Sequence, residues 1–132
     1  MFVDASALTA ILTDEDDARE LVGRLKRASR RMTSPLAVWE TTVAVARRLG
    51  LSLGEAREAV GDYLALAGIV VMPIPPEVGD TALDAFDRFG KSRHPAALNF
   101  GDCFAYALAK ITGEPLLFKG EDFNKTDILS AL

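Results

Sequence analysis

The sequence predicts an α/β domain built on a short, mainly parallel sheet of about four strands flanked by helices. Three observations carry this expectation. Short apolar runs at residues 1–3, 32–33, 69–72 and 116–118 alternate with longer stretches of helical period. Glycines at 50, 68 and 113 stand where those helical stretches stop. Strands separated by helices also require right-handed crossovers, which set the strands parallel with helices on both sides of the sheet.

Taken in order, residues 1–3 form a short buried strand, and Ser6 is positioned to cap a brief helix through Leu12. From Glu15 onward, Ala18, Leu21, Val22, Leu25 and Ala28 recur at helical spacing. Acids fall in the first turn of this helix and bases in the last, as the helix dipole favours. Met32 and Thr33 make the second strand. Ser34 and Pro35 then start a helix, with proline at its first position, that runs to about Leu49. Residues 53–67 place Leu53, Ala56, Val60, Tyr63, Leu64 and Ala67 on one apolar face, and residues 69–72 are the clearest strand of the chain. Pro75-Pro76 opens a helix with Val78, Leu83 and Phe86 inward that ends near Gly90. A polar loop covers 91–98. Asn99 caps a helix through Ile111, residues 116–118 form a last buried strand, and 128–132 make either a short strand or a terminal turn.

A chain of 132 residues is expected to be one domain with its own core. The balance of 49% hydrophobic to 26% charged residues argues against disorder. The longest apolar run is too short to span a bilayer, and Asp4 interrupts the only candidate signal peptide. The lone Cys103 excludes an internal disulfide and suits a reducing cytoplasm. A single histidine, His94, argues against a histidine zinc site or a Ser-His-Asp site. The net charge of −4 is unusual for a domain that grips nucleic acid by charge alone, although the cations are grouped rather than spread.

The chemistry lies in acids drawn from distant segments. Asp4 directly follows the first strand, Asp122 stands just past the last, and Asp102 opens a helix. Asp4 alone could be a turn acid and Asp102 a helix-dipole acid. Glu40 sits within an apolar helical stripe, four residues after Leu36 and three before Val43, where an unpaired carboxylate costs about 3 kcal/mol or more. Arg47 is an alternative structural partner for it. A shared cation accounts for Asp4, Glu40 and Asp102 together, since Mg²⁺ takes oxygen ligands and assists phosphate cleavage. In an open parallel sheet, ligands bind outside the carboxyl ends of the strands, which is where Asp4 and Asp122 fall. A nuclease is the leading reading. The acids Asp14, Glu15, Asp16, Asp17, Glu55, Glu58 and Asp62 read as surface, and Asp127 is a reserve for the fourth site acid.

These residues resemble a known family. Val3-Asp4-Ala5-Ser6-Ala7-Leu8, Glu40 after a strand-to-helix start, Leu98-Asn99-Phe100-Gly101-Asp102-Cys103-Phe104-Ala105 and Pro115-Leu116-Leu117-Phe118-Lys119-Gly120-Glu121-Asp122-Phe123 are similar to the PIN-domain nucleases. More narrowly they resemble the VapC toxins of type II toxin–antitoxin pairs. The resemblance covers the whole chain and implies a three-layer PIN-like fold over residues 1–132. It also implies an endoribonuclease dependent on Mg²⁺ or Mn²⁺, which dimerises and is inhibited by a cognate VapB-like antitoxin in a heterotetramer or larger complex. By position Asp4, Glu40 and Asp102 match the first three acids of the family, with Asp122 the best match for the fourth and Asp127 the second. The segment Gly90-Lys91-Ser92-Arg93-His94-Pro95 resembles the loop before the third motif, so Lys91, Arg93 and His94, and Lys119 beside the fourth, are candidates for meeting RNA phosphate or the partner.

The mechanism expected is metal-assisted phosphodiester hydrolysis, with Asp4 and Asp102 as principal ligands and Glu40 and Asp122 completing the shell. Asn99 supports Asp102, and Ser6 either bonds a site acid or caps its helix. Cys103 reads as a small core residue. The rivals are a metal-dependent α/β phosphatase-like domain, which would want a second acid after Asp4, and a PIN-like module that only binds RNA or protein. The 53–67 helix carries more apolar positions than one small sheet can cover, so a homodimer with a groove for an antitoxin segment is expected.

Overall fold

Successive strand residues point to opposite faces of a sheet, and this alternation divides the apolar residues of the protein between two cores. A computed structural model describes residues 1–132. The chain runs β1 (Phe2–Val3), α1 (Ala5–Leu12), α2 (Ala18–Arg27), β2 (Met32–Thr33), α3 (Pro35–Leu49), α4 (Leu53–Ala67), β3 (Val70–Val71), α5 (Pro76–Phe89), α6 (Phe100–Thr112) and β4 (Leu116–Leu117). The strands lie in the order β3-β2-β1-β4 and every pairing is parallel. Phe2 sits opposite both Met32 and Leu116, and Val3 opposite Leu117.

Phe2, Met32 and Leu116 face a layer formed by α5 and α6, packing with Val78, Phe89, Tyr106 and Leu108. Val3 and Leu117 face the other way, against Leu8, Leu21, Leu25, Val45 and Val60 of α1 to α4. The result is three layers, with two helices in each crossover. Because β2 and β3 extend to one side of β1 and β4 returns to the other, the topological switch falls between β1 and β4. Asp4 stands at that point, its backbone N–H donating to the Leu117 carbonyl at 2.9 Å.

Several expectations are corrected. Asp4, not Ser6, caps α1: its carboxylate accepts from the Ser6 backbone N–H at 3.0 Å. The second helix begins at Ala18 rather than Glu15, after a turn in which Asp14 adopts a positive φ of 53°. The segment at 69–72, the most strand-like by composition, is an edge strand of two residues, both exposed. Leu83 and Phe86 point outward, and Val78, Ala82, Ala85 and Phe89 form the buried face of α5. An apolar residue can satisfy a helical period on either flank of the stripe, so the period alone did not decide which flank met the sheet. Residues 128–132 form one isolated bridge, Ser130 with Leu116. No helix is long and apolar enough to cross a membrane.

Candidate active site

The carboxyl edge of the sheet gathers acids from three layers. Asp4 leaves β1 as the cap of α1 and is 4% exposed. Glu40 lies in the second turn of α3, which departs from the carboxyl end of β2, and Asp102 is in the first turn of α6. Asp122 follows β4 on the exposed turn before a 3₁₀ segment at Phe123–Lys125.

Each of the first three acids is oriented locally or by close packing. The Ser6 hydroxyl and backbone N–H both donate to Asp4 Oδ2, at 2.5 and 3.0 Å, while the Lys119 backbone N–H donates to Ser6 Oγ at 3.0 Å. Ser6 thus locks the Asp4 rotamer and ties it to the segment after β4. Asp102 and Asn99 form a reciprocal capping box: Asp102 N–H donates to Asn99 Oδ1 at 2.9 Å and Asn99 N–H donates to Asp102 Oδ2 at 3.0 Å. Glu40 has no hydrogen-bond partner of this kind. Its carboxylate rests against Gly101, where a β-carbon would lie 2.2 Å from Oε2.

The electrostatics follow from burial and like charge. Burial raises the pKa of Asp4, against the opposing bonds from Ser6. Burial, then the neighbouring charges of Asp4 and Asp102, push Glu40 up to about 7. Asp102 rises to about 6, again through burial first, with Asp4 and Asp122 adding to it against the Asn99 bond. Asp4 therefore bears on both Glu40 and Asp102, Asp122 bears on Asp102, and none of the four is in an ion pair. Arg47, the alternative partner for Glu40, makes no such contact. No three of these carboxylates stand together closely enough to hold a metal ion by themselves. They do form an all-oxygen donor set with uncompensated negative charge, which fits a hard divalent cation whose shell is completed by water.

Asp127 is placed elsewhere. It accepts a hydrogen bond from the Tyr106 hydroxyl at 2.6 Å and pairs with Lys110 at 3.1 Å and Arg88 at 3.5 Å. The Tyr106 bond and these cations hold its pKa down. Its hydroxyl and cation partners hold it as a structural acid, whereas Asp122 is the one that bears on Asp102. Arg93 pairs with Asp87 at 3.0 Å over the Phe86 ring, His94 packs edge-on against Phe89, and Lys91 is exposed. Buried Cys103 has its thiol pushed up to about 11 by burial and by Asp102, which keeps it unreactive.

Two residues escaped the sequence reading. Gly101 admits the Glu40 carboxylate, and a glycine within the first turn of a helix was the available signal of close approach. Glu15, read as surface, is half-buried beside the acids and pairs with both Lys119 and Arg48. No local pattern marks that role, since its partners are 33 and 104 residues away.

Comparison with known proteins bears on this arrangement. The PIN domain family matches residues 1–129. The chain is 43% identical over 128 residues to a ribonuclease VapC of Mycolicibacterium smegmatis, covering 97% of each chain. It is 41% identical to ribonuclease VapC30 of Mycobacterium tuberculosis, covering 97% of this chain and 95% of that one. A VapC ribonuclease of Rhizobium meliloti is 41% identical over 96% of this chain and 98% of its own. Among solved structures, Mycobacterium tuberculosis VapC20, described as a Sarcin-Ricin loop cleaving toxin, superposes with a TM-score of 0.77. That match covers 97% of this chain and 95% of that one at 20% identity, a likeness of fold.

Proposed function

The chain belongs to the PIN-domain family and to its VapC ribonucleases, and on that premise we propose that it is the endoribonuclease toxin of a type II toxin–antitoxin pair, cleaving RNA phosphodiester bonds at the Asp4, Glu40, Asp102 and Asp122 cluster. The observation that carries this reading is four acids without a counter-cation at the topological switch of a parallel sheet, three of them with pKa values raised by burial and two of these, Glu40 and Asp102, raised further by neighbouring acids.

Asp4 and Asp102 would hold a divalent cation, Mg²⁺ or Mn²⁺, with Glu40 and Asp122 completing the shell directly or through water. Bound there, the cation supplies positive charge to the scissile phosphate and acidifies the attacking water. The protein's share is positioning. Ser6 fixes the rotamer of Asp4, the Asn99 box fixes Asp102, and Gly101 gives Glu40 room to approach both. The buried floor excludes bulk water from Asp4, so charge on the acids acts at low dielectric.

A cognate VapB-like antitoxin is the proposed inhibitor, reaching the acids with a cationic side chain. A homodimer is also proposed. The exposed Leu83, Phe86 and Phe100 line an apolar hollow of about 550 Å³ between α5 and α6, a better dimer surface than α4, whose outward apolar residues are Leu53 and Leu66. The function is tested by incubating the protein with structured RNA under graded Mg²⁺ or Mn²⁺. Cleavage that rises with cation and stops in chelator supports it. Cleavage indifferent to chelator, or none with either metal, overturns it.

A further inference from the structure

A cleft of about 620 Å³ opens beside the acid cluster, bounded by α1, α3 and the segment after β4. Glu40 and Ser6 line it at one end, and Arg47, two helical turns beyond Glu40 on the same face of α3, lines it further out. Three cations border this cleft, and two are already neutralised: Arg48 by Glu15, and Lys119 by Glu15 and Asp17. Arg47 is exposed and has no carboxylate partner. Its wall also includes Trp39, the single tryptophan of the chain, which is 65% exposed and packs against no other ring. It also borders a smaller hollow of about 400 Å³ with Val38, Val43 and Leu53, so the indole stands as a ridge between two concavities.

We propose, on the reading that this cluster cleaves RNA, that the cleft is the track of the single-stranded substrate, in which Trp39 stacks a nucleobase flanking the scissile phosphate and Arg47 binds a neighbouring phosphate. Three features select RNA over a peptide as the occupant. The cleft is continuous with the acids, so a polymer lying in it presents its own backbone to Glu40. Only four of its twelve lining residues are hydrophobic, too few for the apolar face of a docking helix. An exposed aromatic face beside an unpaired guanidinium is the combination that holds single strands, one by stacking and the other by charge. Because Trp39 immediately precedes Glu40 on α3, a stacked base also fixes the register of the strand at the cluster.

The lone tryptophan makes the test direct. Full-length protein carrying Asp102→Asn, held in chelator so that RNA stays intact, is titrated with an unstructured oligoribonucleotide of about eight nucleotides, while indole emission is followed. The expected result is saturable quenching of at least about twofold by the base-bearing strand and little by an abasic strand of equal length. Trp39→Leu should weaken binding by about tenfold, Trp39→Phe should restore most of it, and Arg47→Gln should lower the salt slope of log Kd by about 0.7. In the cleaving enzyme Trp39→Leu should lower kcat/KM by about tenfold, with Trp39→Phe restoring most of it. Saturable RNA binding without a change in emission overturns the proposal while leaving the ribonuclease reading intact. Absence of both RNA binding and RNA cleavage overturns the two together. If Trp39→Leu binds RNA normally but escapes inhibition by the antitoxin, the cleft is a protein-docking surface and the proposal also falls.

Discussion

The carboxylate of Glu40 lies against Gly101, so close that a β-carbon on Gly101 would meet Oε2 at 2.2 Å and Oε1 and Cδ at 2.5 Å. This contact joins α3 on one face of the sheet to α6 on the other, and it brings Glu40 within electrostatic reach of Asp102. Gly101→Ala should therefore expel the carboxylate and lower cleavage by at least tenfold at little cost in stability, because the displaced atoms are the free end of a flexible side chain. In a Glu40→Ala background the same change should be neutral or slightly stabilising, because alanine is the better helix former. A double-mutant cycle by thermal melts checks the coupling. Equal destabilisation in both backgrounds would show that another atom sets the contact.

The charge cluster gives a pH dependence of definite sign. Glu40 ionises at about 7 in the folded protein against an ordinary 4.5, so the folded state holds more protons than the unfolded one between those values. Stability of the cation-free protein should fall as pH rises through that window, by on the order of 1–2 kcal/mol after screening of a partly exposed group. Asp4 and Asp102, shifted the same way, add to the slope. Glu40→Gln should raise the melting temperature in chelator at pH 8, have little effect near pH 4.5, and weaken metal binding. A lowered melting temperature at pH 8 with metal affinity intact would assign Glu40 to a structural ion pair instead.

Asp4→Asn and Asp102→Asn separate chemistry from folding. An amide oxygen can accept the bonds that Ser6 donates to Asp4 and can serve in the Asn99 box, and asparagine is a good cap. Both variants should melt within a few degrees of the parent and lose nearly all RNA cleavage. Sustained cleavage by Asp102→Asn in excess chelator rules the metal mechanism out.

Asp122 and Asp127 should behave in opposite ways. Asp122→Asn removes an acid that bears on Asp102 and is expected to reduce cleavage and metal affinity. Asp127→Asn loosens a partly exposed network with Tyr106, Lys110 and Arg88, costing less than about 1 kcal/mol and sparing activity. Cleavage assays and melts on the two variants decide between them, and the reverse pattern would move the fourth acid to Asp127.

The sequence by itself determined the alternation of helix and strand, the helix starts at Ser34 and Asn99, and the placement of Asp4 and Asp102 at element ends. These are local properties, encoded within a few residues by hydrogen-bonding side chains and by period. It also marked Glu40, because a carboxylate inside an apolar stripe is costly unless something offsets its charge. Only the tertiary structure decided that Glu40 seats on Gly101, that Glu15 neutralises Lys119 and Arg48, and that Leu83 and Phe86 face outward. It likewise decided that Asp122 bears on the cluster while Asp127, five positions on, turns to Tyr106. Each of these depends on which segments the parallel sheet sets side by side. Electrostatic and steric contacts act across space, whereas periodicity and capping act along the chain.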